Sequence, residues 1–278
     1  MLASDLEGRN AVVIGGGSGI GRGIALALAA EGMRVVVGDI QGESAAAVAE
    51  EILTTGGAAT HVSVDGRDRA SLATLADRAV ARYGAVHVLS TNVGVFANRP
   101  LDSAADEDWS WIIELNLMSA VRAVDVFLPY LRASGPPAAV VVTASMAALR
   151  CVPPARAGGV HLGLYTTTKH ALLGFTETLR TELEPEGIGV SVLCPGQVHS
   201  NLMETSLRLA PGAGEQRTDV TTWAQRPEHA MSGEEVGQCV VRGITANRLH
   251  ILTHPDARAG IEARHQALMA DFEYFARS

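Results

Sequence analysis

Short runs rich in Val, Ile and Ala alternate with longer stretches of helical spacing along the first two thirds of the chain. The runs span residues 11–14, 35–37, 61–64, 86–89 and 139–143, and most are apolar at consecutive positions, the mark of strands covered on both faces. Between them Ile20, Ile24, Leu26 and Leu28, then Val48, Ile52 and Leu53, then Leu72, Leu75, Ala79 and Val80 fall into helical stretches. Each group opens near Gly, Ser or Asp, the residues that start helices. Further on, the pattern predicts helices over 109–131 and 165–183, a strand at 188–193 and a closing helix–strand pair within 236–252, opened by a Ser232–Glu235 capping box. Strands separated by helices pair in parallel. The expected fold is therefore α/β: a doubly wound, mostly parallel seven-stranded sheet with helices on both faces, in one domain over 1–278. Two stretches, 146–164 and 201–228, exceed ordinary connections. They follow strands five and six, at the end of an open α/β sheet where ligands bind.

Composition removes several classes of function. The 278 residues carry 22 Lys and Arg against 30 Asp and Glu, a formal charge of −8, the wrong sign for gripping a phosphate backbone, so no nucleic-acid partner is expected. Cys151, Cys194 and Cys239 lie far apart and share no CxxC spacing, which argues against a disulfide framework or a thiolate zinc site. Only His250 and His254 of the nine histidines come close in sequence, and no metal site is expected. The acidic start and the lack of an 18-residue apolar run fit a soluble, cytoplasmic protein with no membrane partner.

Directly after the first strand stands a turn containing Gly15, Ser18, Gly19, Ile20 and Gly21. Its spacing is GxxxGxG, and Arg22 takes the place where a P-loop needs lysine. Glycines allow positive φ and let a pyrophosphate approach the free N–H groups of the following helix; a tight turn with no ligand is the plainer reading. Asp39 closes the second strand, 24 residues after Gly15, where a carboxylate can accept from adenosine ribose hydroxyls and repel a 2′-phosphate. With no cation at Ser18 or Ile40 to offset that repulsion, NAD is preferred over NADP.

Tyr165 and Lys169 are four residues apart, on one helix face. At about 4 Å and an effective dielectric near 20, an ammonium attracts a phenolate by roughly 4 kcal/mol, enough to lower the tyrosine pKa by up to about three units. Such a phenol can exchange a proton with an alcohol near neutral pH. A surface Tyr–Lys pair is the commoner outcome of this spacing.

Together these motifs resemble the short-chain dehydrogenase/reductase family, in its single-domain NAD-type branch, from about Asn10 to Leu252. Thr91 to Gly94 is similar to the family's NNAG, Asn116 stands in a WIIELNL segment, Ser145 follows strand five, and Pro195, Gly196, Val198 and Ser200 resemble PGxVxT. The resemblance implies a Rossmann-like fold. It makes Tyr165 the general acid/base, with Lys169 lowering its pKa and binding the nicotinamide ribose. Ser145 would hold the substrate oxygen and Asn116 would support a proton-relay water, completing the catalytic set. Asp65 and Gly66 would lie by the adenine, Asn92 and Gly94 along the cofactor channel, and the backbone from Pro195 and Gly196 to Val198 and Ser200 at the carboxamide. Ile14, Thr91, Val93, Gly66 and Ser200 depart mildly from the family pattern. Ser145 and Tyr165 stand 20 positions apart, more than the family usually shows, so an inserted loop must bulge between them. If Ser145 is not the hydroxyl, Thr143 is the one nearby.

The expected substrate is an apolar, medium-sized secondary alcohol or its ketone. His161, His199, Leu202 and Trp223 are candidate substrate contacts, the last two in a lid over about 201–228; a surface helix is the alternative for that lid. A helical extension over about 256–278 follows. The expected activity is hydride transfer with NAD in a homodimer or homotetramer. A carbonyl reductase using NADPH is the alternative among enzymes. A non-catalytic dinucleotide-sensing protein is the alternative outside them, although sensing has no need of the tyrosine.

Overall fold

All seven expected strands form, and all are parallel. The computed structural model describes residues 6–211 and 230–276. In it β1 (Asn10–Ile14), β2 (Arg34–Asp39), β3 (Ala58–Ser63), β4 (Val88–Thr91), β5 (Ala138–Thr143), β6 (Ile188–Cys194) and β7 (His250–Leu252) pair in the order β3-β2-β1-β4-β5-β6-β7. The order reverses between β1 and β4, the switch point at which open α/β sheets make a crevice. The helices described are α1 (Gly19–Ala30), α2 (Gly42–Thr54), α3 (Arg69–Tyr83), α4 (Asp106–Ile113), α5 (Ser119–Ser134), α6 (Gly163–Leu183), α7 (Leu202–Leu209), α8 (Gly233–Thr245) and α9 (Arg258–Ala276).

Strand side chains alternate between two cores. Ala11, Val13, Val35, Val37, Val141 and Leu193 meet Ile24, Leu28, Val48, Ile52 and Val240 of α1, α2 and α8. Val12, Ile14, Val36, Val140, Val142 and Val192 meet Leu72, Leu75, Phe127 and Leu172 of α3, α5 and α6. Each fully buried Val, Leu or Ile contributes roughly 1.5–3 kcal/mol, so a sheet covered on both sides needs the near-continuous aliphatic runs seen in the sequence.

Several boundaries differ from expectation. The third strand starts at Ala58, earlier than the predicted 61, because β2 extends its ladder back to the Arg34–Ala58 pair. The fourth begins at Val88 and runs on to Thr91, which pairs with both Ile14 and Val142; before it, the His87 ring accepts the Asn10 N–H through Nδ1 at 3.1 Å. The single helix expected over 109–131 starts at Asp106, where the Asp108 carboxylate accepts the Ala105 N–H. It is then interrupted by a π-helical turn at Glu114–Met118. There the Ser119 N–H bonds the Glu114 carbonyl, five residues back, and the Ser119 hydroxyl serves the Leu115 carbonyl at 2.6 Å. Such insertions concentrate at functional sites, and this one contains Asn116.

The Ser232–Glu235 capping box opens α8 as expected. Helices α1 and α8 cross at backbone contact: a Cβ on Gly23 would fall 1.9 Å from the Gly233 carbonyl oxygen, and one on Gly237 would fall 2.2 Å from that of Gly23. The C-terminal extension is α9, rooted by Ile261 on the core and exposing Phe272, Tyr274 and Phe275 beyond it. Among the described residues, no helix is long and apolar enough to cross a membrane.

Candidate active site

The glycine turn joins β1 to α1 at the switch point. Gly15 has φ +72°, and a Cβ there would sit 3.0 Å from the Asn92 carbonyl carbon; one on Gly21 would sit 1.9 Å from the Gly15 oxygen. Only glycine fits at Gly21, and the turn leaves open the N-terminus of α1. Ser18, the N-cap residue, is exposed and its hydroxyl makes no capping bond. Ile20 packs partly against the core, and Ser200 lies against Gly19, whose Cβ would fall 2.9 Å from that of Ser200. Asp39 is fixed at the rim, with Oδ2 accepting from Gly17 N–H and Oδ1 from Gln41 N–H, each at 2.9 Å. This cradle fits a dinucleotide: exposed donors for a pyrophosphate and a carboxylate beside them for a ribose.

On the expected adenine side, Asp65 is already paired with Arg67 at 2.7 Å. That hydrogen-bonded guanidinium holds the carboxyl below its ordinary range. Gly66 is buried, its missing Cβ 3.3 Å from Val93.

A continuous hydrogen-bond chain links the turn to the chemical residues. The Asn92 amide donates to the Ile14 carbonyl at 3.1 Å and to the Ser90 hydroxyl at 3.2 Å, and its oxygen accepts from the Thr143 hydroxyl at 2.7 Å. The Thr143 carbonyl in turn accepts from Lys169 Nζ at 3.0 Å. Lys169 is 3% exposed, and its ammonium lies 5.4 Å from the centre of the Tyr165 ring. Gly94 leaves room between them, since a Cβ there would come within 3.5 Å of both Lys169 Nζ and Asn116 Oδ1. Asn116, fully buried, exchanges two hydrogen bonds with the Val95 backbone, at 2.7 and 2.9 Å, and donates to the Thr168 hydroxyl at 3.1 Å. Its side chain therefore ties the loop after β4 to α6.

Ser145 opens a short 3₁₀ turn, Met146–Ala148, by accepting the Ala147 N–H at 3.1 Å. Despite the 20-residue spacing its hydroxyl lies close enough to Tyr165 to act on the phenol's pKa, and it stands 3.5 Å from the Pro195 carbonyl, while Thr143 turns toward Asn92. The pKa of Tyr165 runs against expectation. Burial pushes it up to about 12, outweighing the Ser145 hydroxyl, which pulls it down. Burial also lowers Lys169 to about 8. The expected lowering of Tyr165 by Lys169 is not seen, because the same burial that brings the pair together strips both of solvation. Cys194, at the end of β6, is likewise pushed up to about 12 by burial and is an inert thiol.

The inserted loop folds over Tyr165. Its Ala157, Val160 and Leu162 form a small apolar cluster with Phe96, against which Val152, Tyr165, Leu202 and Met203 pack. Phe96 meets the Tyr165 ring edge-on at 5.8 Å, and its N–H donates to the Ser206 hydroxyl of α7 at 2.7 Å. Leu202 thus packs in the same apolar cluster as Tyr165. His161 is half-buried in the loop, with its backbone N–H on Asn98. His199 is exposed and bonds Met231 through its backbone. Trp223 and most of the expected lid lie outside the described residues. Phe96 and Ser206 were not foreseen, because neither falls in a motif or a periodic run. His254, which the sequence marks only as lying close to His250, bonds the Gly196 and Gln197 backbone through its ring.

These features define a dinucleotide-fold oxidoreductase, and comparison with known proteins agrees. The profile of the short chain dehydrogenase family matches residues 9–209. The C alpha-dehydrogenase of Sphingobium sp. is 30% identical over 272 residues, covering 95% of this chain and 87% of that protein. The 1-deoxy-11-beta-hydroxypentalenate dehydrogenase of Streptomyces avermitilis is 33% identical over 255 residues, covering 91% and 87%. A crystal structure of a short-chain dehydrogenase/reductase from Burkholderia phymatum in complex with NAD aligns with a TM-score of 0.85 at 31% identity, covering 96% of each chain. The chain belongs to the short-chain dehydrogenase/reductase family of oxidoreductases.

Proposed function

We propose that the chain interconverts an apolar secondary alcohol and its ketone with NAD. The observation that carries this reading is the buried Lys169 ammonium 5.4 Å from the centre of the Tyr165 ring, with the Ser145 hydroxyl near enough to act on the phenol. When bound, the nicotinamide supplies or accepts the hydride. The glycine turn and Asp39 would hold its adenosine diphosphate half, and Lys169, Asn92, Gly94 and the Pro195–Ser200 segment its nicotinamide half.

Ser145 holds the substrate oxygen and Tyr165 exchanges a proton with it. In alcohol oxidation the substrate O–H proton would pass to the Tyr165 phenolate; in ketone reduction the Tyr165 phenol would return a proton to the same oxygen. A phenol held near 12 is protonated at neutral pH, which favours its action as an acid toward a ketone. The Asp39 carboxylate at the rim of the turn supports NAD in either direction. Phe96, Val152, Val160, Leu162, Leu202 and Met203 supply an apolar wall, suited to an alicyclic or aryl body rather than a charged one. The dehydrogenase names of the two relatives agree with this chemistry. Screening apolar secondary alcohols with NAD, and the matching ketones with NADH, by absorbance of the reduced cofactor tests the reading. Dinucleotide binding without turnover of any of them would reduce the chain to a sensor.

A further inference from the structure

We propose that His254 is a positioning residue for the nicotinamide end of the site; this rests on the dinucleotide reading above. His254 follows β7 and its ring reads the backbone of two successive residues in the loop after β6. The Gly196 N–H donates to Nδ1 at 3.0 Å and the Thr253 hydroxyl donates to the same nitrogen at 2.7 Å. Nδ1 is therefore the bare acceptor, and Nε2 carries the proton that goes to the Gln197 carbonyl at 3.0 Å. The ring also fills the space a side chain would need at residue 196, since a Cβ there would lie 2.6 Å from His254 Cγ and 2.7 Å from Cδ2. The glycine of the Pro195–Gly196 pair is thus required by a neighbouring histidine, whatever ligand approaches it.

Gly196 and Gln197 are exposed, so side-chain burial does little to fix this stretch. Polar contacts do so instead. On one side Met231 donates its N–H to the Gln197 carbonyl at 3.1 Å and accepts the His199 N–H at 2.9 Å. On the other stands the His254 ring. Just upstream, the Pro195 carbonyl accepts the Met146 N–H at 2.9 Å, beside Ser145, so the loop shares an anchor with the turn that carries the substrate-binding hydroxyl. A backbone held in its binding geometry beforehand loses less freedom when a ligand arrives, and that raises affinity.

The effect must be confined to the nicotinamide half of the ligand, which gives the test. Affinities for NADH and for ADP-ribose, which ends before the nicotinamide ring, are measured by titration calorimetry on the whole chain and on His254→Phe and His254→Asn. Phenylalanine keeps the ring volume without either nitrogen; asparagine keeps an acceptor near the position of Nδ1. NADH affinity is expected to fall about tenfold in His254→Phe, the scale of two lost hydrogen bonds. ADP-ribose affinity should move less than twofold, and His254→Asn should recover part of the loss. A parallel fall in both ligands would make His254 a general structural residue and overturn the proposal. So would unchanged NADH affinity in His254→Phe, or an asparagine variant no better than phenylalanine. An unmodified chain that binds neither ligand refutes the dinucleotide reading itself.

Discussion

Two hydroxyls at the end of β5 make opposite predictions when removed. Ser145 reaches Tyr165, whereas Thr143 donates to Asn92 and offers only its carbonyl to Lys169. In the proposed role of Ser145, Ser145→Ala would remove a donor to the substrate oxygen, and losses of that kind cost about 10²–10³ in kcat. The variant also loses the cap on Ala147 N–H, worth roughly 1 kcal/mol of stability. Thr143→Val leaves the Asn92 oxygen without its 2.7 Å donor. A half-buried acceptor stranded in this way costs up to about 1–3 kcal/mol, or at most roughly 2–12 °C in melting temperature for a chain of this size. Its rate should change by less than about threefold, because valine keeps the carbonyl that holds Lys169. Steady-state rates at pH 7 with the best alcohol of the screen, beside thermal melts, separate the two. Near-normal turnover by Ser145→Ala together with a hundredfold loss in Thr143→Val would exchange their roles and refute the alignment across the inserted loop.

Replacing Asp39 with alanine should narrow the preference for NAD over NADP, read by titrating both cofactors; tighter NADP binding by the unmodified chain would contradict the electrostatic argument. Tyr165→Phe should lower turnover at least about 10²-fold with cofactor affinity preserved, and wild-type rates in that variant would remove Tyr165 as the acid/base. Because Tyr165 sits near 12, the phenolate fraction grows about tenfold per pH unit below that value. Alcohol oxidation should therefore climb between pH 6 and 8 while ketone reduction stays nearly level, and an oxidation profile flat over that range would contradict the raised pKa. Leu202→Ala should raise KM for bulky alcohols more than for small ones, whereas an equal loss across all of them would return Leu202 to a packing role.

The sheet was legible because aliphatic runs covered on both faces leave a simple record: every expected strand exists, with no end of the first six displaced by more than three residues. Those ends depend on neighbours. The His87 ring nitrogen accepts from the Asn10 N–H from outside β4, and no local pattern announces that. The Tyr165–Lys169 pair was legible from spacing along one helix, and Asp39 from its place at the end of a strand. The direction of the tyrosine pKa was not, because charge proximity can be read from spacing while burial depends on Phe96 and the inserted loop, which arrive from elsewhere in the chain. The π turn at Asn116 was hidden for a related reason: apolar spacing across α4 and α5 runs on through the extra residue. His254 stands out in the sequence only for its nearness to His250, and tertiary structure alone sets it against Gly196.

The crossing of α1 and α8 changes what the glycines can testify to. Gly23, Gly233 and Gly237 let two helix backbones touch, and Gly21 is forced by the Gly15 carbonyl within its own turn. None of these constraints refers to a ligand. A descendant that abandoned its dinucleotide would still need most of its glycines to keep the helices together, and its first strand and helix would look unchanged. The memory of chemistry in this fold is carried instead by residues whose removal leaves the packing intact. Drift at Asp39 or Tyr165, rather than loss of the glycine turn, is what would mark such a retired enzyme.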